Sequence, residues 1–315
     1  MGAYVRRRFA GLVIVVFVAS VIVFSLVRVL PGDPAVTILG QDATEEQLEA
    51  VRTSLGLDEP ITTQYWLWIS RAATGDFGYS YATGYPVVEL IANRVPATLH
   101  LVVAGLLLAT VLGVSSGIIA ALNRGKLVDK VINAMNMATL GVPSFSLGLV
   151  LLMVFGLSLN WLPMSGYVSL WDDPVDAITH LILPAGTLGI LIMPQLSWLV
   201  RDGMLANLEQ DHVRTATSMG LPRSVIVRSN LLRNAFSPVL TLLGLTTGKL
   251  LAGAVIMESV FSWPGLGSLA LRSVLSDDYP TVQAVVLLAV VTVVVVNLLT
   301  DLLHAKLDPR VMKGD

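Results

Sequence analysis

The chain has 315 residues, of which 54% are hydrophobic and 13% charged, with a formal net charge of −2 and a mean hydropathy of +0.75. A soluble domain carries about 25% charged residues, so this composition argues against an ordinary soluble fold. With no cysteine, disulfides and thiolate metal sites are excluded. The small net charge says nothing of partners, and no basic nucleic-acid patch lies outside the loops described below.

A bilayer core of about 30 Å takes about 20 apolar helical residues to cross. Six stretches have that length: Phe9–Leu30, Thr98–Leu122, Ala134–Leu157, Leu181–Val200, Phe236–Val260 and Thr281–Leu303. None alternates as a barrel strand would. The first follows Arg6–Arg8, as a signal peptide would, but its apolar run is long and ends in PGDP without a small-residue cleavage site. It is therefore predicted to be a retained anchor.

Basic residues orient the spans. With the N-terminus inside, the inner segments hold Arg6, Arg7 and Arg8, then Arg124, Lys126 and Lys130. They also hold Arg201, Arg214, Arg223, Arg228 and Arg233, and finally Lys306, Arg310 and Lys313. The outer loops hold Arg52, Arg71, Arg94 and Arg272. Both termini are predicted to be cytoplasmic.

The long outer loop has its own helical signals. In TEEQ, Thr44 and Gln47 fit a capping box. Leu48, Val51 and Leu55 then form an apolar stripe that Gly56 ends. A second helix is predicted from Pro60 to Gly75, since proline suits a first helical turn. Two readings stand side by side: a cap packed on the spans, or a docking surface for an external partner. The next outer loop carries Asp172, Asp173 and Asp176 in a setting that predicts a turn and a capped helix. Calcium loops need a denser, Gly-punctuated oxygen pattern.

The fourth span is predicted to run on through Arg201 toward Leu208. Asp211 then suits an N-cap for a short helix, His212–Met219. Gly220 sits where a helix end requires positive φ, and Pro222 fits the first turn of the next helix. At about 100° per residue, Leu221, Val225, Ser229, Leu232 and Phe236 share one narrow stripe, with Arg223 opposite. That second helix suits a membrane surface. The short helix shows small residues (Thr215, Ala216, Ser218) and suits a groove on another protein.

RTATSMGL (Arg214–Leu221), followed by LLRNAFSPVLT, resembles the cytoplasmic EAA loop of ABC importer permeases of the dipeptide and oligopeptide family. LPGDP, GLDEP, GDFGYS and RVPATLHL resemble that family's first span and outer loop. GVPSF and HLILPAGTLG match its middle, and ESVFSWPGLG, DYP and LHAKLDPR its end. The likeness covers nearly the whole chain, and the long outer loop is typical of the first permease of a heterodimeric pair.

The resemblance implies an all-α integral membrane protein with the six-helix fold of a type I ABC importer permease. Its organisation would be a tail and first span over 1–30 and a helical extracytoplasmic region over 31–97. A five-span core over 98–303 would include the cytoplasmic loop 201–235, and 304–315 would form a cytoplasmic tail. The implied setting is a bacterial inner membrane. The implied partners are a second related permease, two ATPase subunits, an extracytoplasmic binding protein, a peptide substrate and membrane lipid, without nucleic acid. The chain would hold no cofactor or catalytic residue, because ATP and Mg belong to the ATPases. Asp211, His212, Arg214, Thr215, Ala216 and Gly220 would form the coupling helix and its turn. The family motif begins Glu-Ala-Ala where this chain has Arg214, Thr215 and Ala216, the version common in the peptide branch; His212 replaces that branch's usual aromatic.

Three further residues bear on the pathway. Lys249 lies near mid-membrane, where a lysine is costly and faces an interior or a water-filled path; it either lines the pathway or pairs with a polar group between helices. Glu258 is nine residues on, about 180° round a helix, and either shapes an outer gate or makes a structural hydrogen bond. Pro143, with Gly141 and Pro194, permits a kink that is either used in gating or an ordinary feature of membrane helices. His100, His180 and His304 are assigned to interfacial packing or hydrogen bonding.

Two decoys fail. GLTTGKLL has three residues between its glycines and leucine after lysine, where a phosphate loop needs four and Ser or Thr. PMSG lacks the first glycine of an intramembrane serine protease motif. The remaining alternatives are the same importer architecture serving a nickel chelate, glutathione, haem or an oligosaccharide, and a secondary carrier without an ATPase. Such a carrier often uses intramembrane acids, and only Glu258 and Asp301 lie in the spans, at opposite edges.

Overall fold

A computed structural model describes residues 2–29, 33–40, 42–208, 210–220, 222 and 232–307. Among these, regular structure is helical apart from one antiparallel bridge, Tyr79 to Pro86. Most of the amphipathic helix expected to lead from Leu221 into the fifth span (221 and 223–231), the LPG of LPGDP and the tail beyond 307 lie outside the described residues.

The helices in chain order are α1 (Gly2–Val29), α2 (Pro34–Leu39), α3 (Glu45–Ser54), α4 (Ile61–Ala73), α5 (Val87–Leu122), α6 (Leu127–Gly141) and α7 (Ser144–Leu151). A π-helical stretch, Leu152–Ser158, extends α7. Then come α8 (Pro174–Leu208), α9 (Asp211–Ser218), α10 (Leu232–Val260), α11 (Leu266–Leu275) and α12 (Tyr279–Leu307). Four of them are long and apolar enough to cross a membrane: α5, α8, α10 and α12. The helix α1 holds a shorter apolar run, Ala10–Ser25.

The third expected span is broken. Residues Leu127–Gly141 and Ser144–Ser158 meet at 109°. The cause is local: Pro143 pushes the residue before it out of the helical region, and Val142 is extended, with φ −93° and ψ 126°. Proline is otherwise tolerated, since Pro96 lies inside α5 and Pro184 and Pro194 inside α8.

The chain forms two compact units. The first comprises Met1–Thr98 and Pro264–Val295. Its α4 packs on α1: Phe24 is buried against Tyr65 and Trp68, and Ser20 Oγ lies 2.8 Å from Tyr65 Oη. The capping box forms, with Thr44 N–H donating to Gln47 Oε1 at 3.0 Å and Gln47 N–H to Thr44 Oγ1 at 3.4 Å. Arg52 ties α3 to the N-cap of α2, donating from Nε to Asp33 Oδ2 at 2.9 Å. Val87 and Ile91 pack with Ala284 and Val285 in a small core that Phe77, Leu266 and Leu269 extend.

The second unit comprises Leu99–Trp263 and Val296–Asp315. Its axis is α8, which packs against α6, α7 and α10. Asp173 caps α8, accepting from Val175 N–H at 3.0 Å and Asp176 N–H at 3.1 Å; the acidic loop thus has the capping role that its sequence suggests. The helices α5 and α8 approach through glycine. A Cβ on Gly113 would stand 2.6 Å from Leu196 Cβ, and one on Gly117 would stand 2.5 Å from Ser197 O. Gly113 and Gly117 form a G-x-x-x-G pair, which lets membrane helices pack at backbone distance.

Candidate functional site

The segment expected to couple to an ATPase is set on the end of α8, the longest helix wholly within the second unit. The 35-residue α8 stops at Leu208, and α9 begins at Asp211. The connection is bonded through the backbone: Gln210 N–H donates to Asn207 O at 3.2 Å, and Val213 N–H to Gln210 O at 3.1 Å. Val213 is buried, which seats α9. Asp211 is the first residue of the helix rather than the residue before it. Helix ends differ by a residue between definitions, and the Asp211 carbonyl still accepts from Thr215 Oγ1, at 2.9 Å. Asp211 and Thr215 are exposed. The backbones of His212, Arg214 and Ala216 lie in α9, and their side chains are not described. Gly220, two residues beyond the end of α9, has φ +74°, a conformation that an L side chain rarely adopts.

The pathway candidates separate. Lys249 and Glu258 both lie on α10. Lys249 is exposed and has no hydrogen bond or ion pair among the described residues. Glu258, by contrast, is 1% exposed. Nine residues of helix thus place them on opposite sides. Pro143 is exposed at the bend between α6 and α7. Close to Glu258 in sequence, Met257 and Phe261 approach Gly148 of α7, at 3.5 Å from where its Cβ would stand. Two histidines make local contacts: His100 Nδ1 lies 3.2 Å from Tyr167 Oη, and His180 Nδ1 lies 2.9 Å from Asp176 O.

One constellation was not foreseen from sequence. Asp129, Asn133 and Asn136 fall at i, i+4 and i+7 on α6, and Ser197, Trp198 and Arg201 face them from α8. Arg201 donates to Asp129 through Nε at 2.8 Å and Nη2 at 3.0 Å. Trp198 Nε1 donates to Asn133 Oδ1 at 2.9 Å, and Asn136 Nδ2 to Ser197 Oγ at 3.0 Å. Ser116 of α5 donates to the same Ser197 Oγ at 3.1 Å. The signal was present as helical spacing of Asp and Asn at the start of an apolar run.

Among the described residues no three His, Asp or Glu side chains gather as a metal site. In the first unit a cavity of about 970 Å³ is lined by Phe24, Trp68, Arg71, Asp76 and Tyr81, among others.

Long apolar helices, one of them a broken span, define a multi-pass membrane protein. The chain belongs to the family described as binding-protein-dependent transport system inner membrane component, which it matches over residues 113–313; residues 1–102 match the N-terminal region of such membrane components. It is 39% identical over 308 residues to the glutathione transport system permease protein GsiC of Escherichia coli K12, covering 98% of each chain. The same figures hold for the GsiC protein of Shigella dysenteriae serotype 1. The MetNI methionine ABC transporter, in an inward-facing conformation, shares the fold with a TM-score of 0.54 at 16% identity, over 70% of this chain and 96% of that one. An amino acid ABC transporter crystallised with histidines aligns with a TM-score of 0.51 at 17% identity, over 69% and 94%.

The chain is therefore the permease subunit of an ABC importer, a multi-pass inner-membrane protein whose work is transport and not catalysis. A permease of this class works with a partner permease, ATPases and a binding protein.

Proposed function

We propose that this permease forms half of the pore of an importer for small peptides, with glutathione, a tripeptide thiol, included in that class. Its α9 is the helix that docks on an ATPase, and both termini lie on the cytoplasmic side. The observation that carries the docking assignment is the placement of α9: a short helix with exposed Thr215, fixed to the end of α8 and closed by Gly220 at φ +74°. ATP-driven closure of the ATPases would push on α9 and swing the pore between inward and outward access. The likeness to GsiC proteins supports the substrate class, since those are glutathione permeases. Lys249, exposed and without a hydrogen bond or ion pair among the described residues, supports a pathway wall facing the second permease, where a cation would attract peptide carboxylates. Glu258, buried nearer the outer end of α10, belongs to the gate region with Pro143.

The test uses the absence of native cysteine. Thr215→Cys carrying a benzophenone is irradiated in the assembled complex, and uptake of labelled glutathione and of a labelled tripeptide is followed in parallel with ATP hydrolysis. Capture of an ATPase subunit is expected. Proline holds φ near −65°, so Gly220→Pro is expected to abolish uptake while ATP hydrolysis continues. No ATPase product together with normal uptake by Gly220→Pro would sink the coupling assignment. Uptake of neither compound would sink the substrate class alone.

A further inference from the structure

The polar strip between α6 and α8 lies in the path that a push on α9 must take. Asp129 is 4% exposed, and its carboxylate accepts four hydrogen bonds from three residues. Two come from the Arg201 fork; the others come from Gly125 N–H at 3.0 Å and Asn133 Nδ2 at 2.7 Å. A bidentate guanidinium–carboxylate pair fixes angle as well as distance. Apolar helix contacts can slide past one another, but this pair has one geometry. Arg201 lies seven residues before the end of α8, about 10 Å along the axis at the usual helical rise. On the other side, Asp129 sits in the first turn of α6, whose far end is the 109° bend at Val142 and Pro143.

We propose that the Asp129–Arg201 pair is a positioning link that carries displacement of α9 along α8 to the broken span α6–α7. The proposal rests on α9 being the ATPase-docking helix. Trp198 and Asn133 hold the register one turn deeper, and Ser197 extends the tie to both Asn136 and Ser116 of α5. A push at α9 therefore moves α6 rather than slipping under it. Asp202, whose Oδ1 accepts from Arg201 Nη1 at 3.2 Å, is exposed and leaves the fork intact.

The experiment uses the permease assembled with its partner permease and ATPases in lipid nanodiscs. One nitroxide pair at Met137 and Val103, both exposed, reads α6 against α5. A separate label at Met219, which is 75% exposed, reads the segment around α9. Spectra are compared without nucleotide and with ATP–vanadate. In the parent, both reporters are expected to change. Removing one partner of a buried pair strands a charge, whereas replacing both is often nearly neutral, so the main variant is Asp129→Asn with Arg201→Met. Its resting 103–137 distance and its Met219 response are expected to match the parent, while the nucleotide-driven 103–137 change shrinks at least about twofold as the fork is lost. Arg201→Lys, which keeps the charge but not the fork, is expected to fall between them and carries the test if the double variant does not assemble. A 103–137 change that persists in full in these variants overturns the link and leaves the α9 assignment standing. A silent Met219 reporter in the parent overturns both.

Discussion

Ser80 Oγ donates to Asp278 Oδ2 at 2.6 Å across 198 residues of sequence. The same buried carboxylate accepts from Tyr81 N–H at 2.9 Å and Thr281 Oγ1 at 2.7 Å, so the bridged loop near Tyr79 is pinned to the start of α12. Asp278→Ala leaves three donors unmatched. The expected loss is about 1–3 kcal/mol, read as a lower unfolding midpoint in detergent and faster cleavage within residues 76–86. An unchanged midpoint and cleavage pattern would remove this pin from the account of the first unit.

The α5–α8 contact predicts steep size dependence. Adding a Cβ at Gly117 would place it 2.5 Å from Ser197 O and 2.9 Å from Val200 Cβ, and neither is the far end of a flexible side chain. Overpacking costs about 1–3 kcal/mol, so Gly117→Ala is expected to reduce the yield of detergent-stable protein and Gly117→Leu to abolish it. Gly11 has open space at its Cβ position, and Gly11→Ala serves as the control.

Acid should loosen α2 and α3. The Arg52 hydrogen bond holds the Asp33 carboxyl below its ordinary value. A depressed carboxylate contributes stability that is complete above the unfolded value, about 3.9, and is lost as pH falls through the folded one. Amide exchange in α2 and α3 is therefore expected to accelerate as pH falls below about 4, after correction for intrinsic rates. Arg52→Gln should raise exchange at neutral pH and flatten this pH response. Parallel profiles for the two proteins would contradict the assignment.

Lys249 offers a direct reading of the pathway. If its ammonium meets substrate carboxylates, Lys249→Met should raise the KM for uptake about tenfold or more, the worth of a hydrogen bond to a charged group. Uptake kinetics identical to the parent would place the side chain away from the route.

Local signals were readable because their partners lie within one turn. Thr44 and Gln47 form the reciprocal cap, Asp173 caps α8, and Gly56 and Gly220 both adopt positive φ. Pro143 was recognisable as a kink, but its 109° was not, because the angle depends on what each half packs against. The Asp129–Arg201 pair spans 72 residues, and no local pattern joins its members. The G-x-x-x-G spacing of Gly113 and Gly117 was open to inspection, and yet its partner, α8, could be assigned only from the fold.

The bend at Val142 makes a demand on its surroundings. Where α6 stops at Gly141, the Val142 N–H turns back to Thr139 O at 3.3 Å, and Pro143 brings no N–H of its own for the next carbonyl. Hydrocarbon cannot solvate a peptide group, so irregular backbone at membrane depth persists only beside water or protein. Yet Gly141, Val142, Pro143 and Phe145 are all exposed on the isolated chain. If the elbow lies at membrane depth, it is a wetting boundary: lipid stops short of it, and the aqueous lumen or the neighbouring permease begins there.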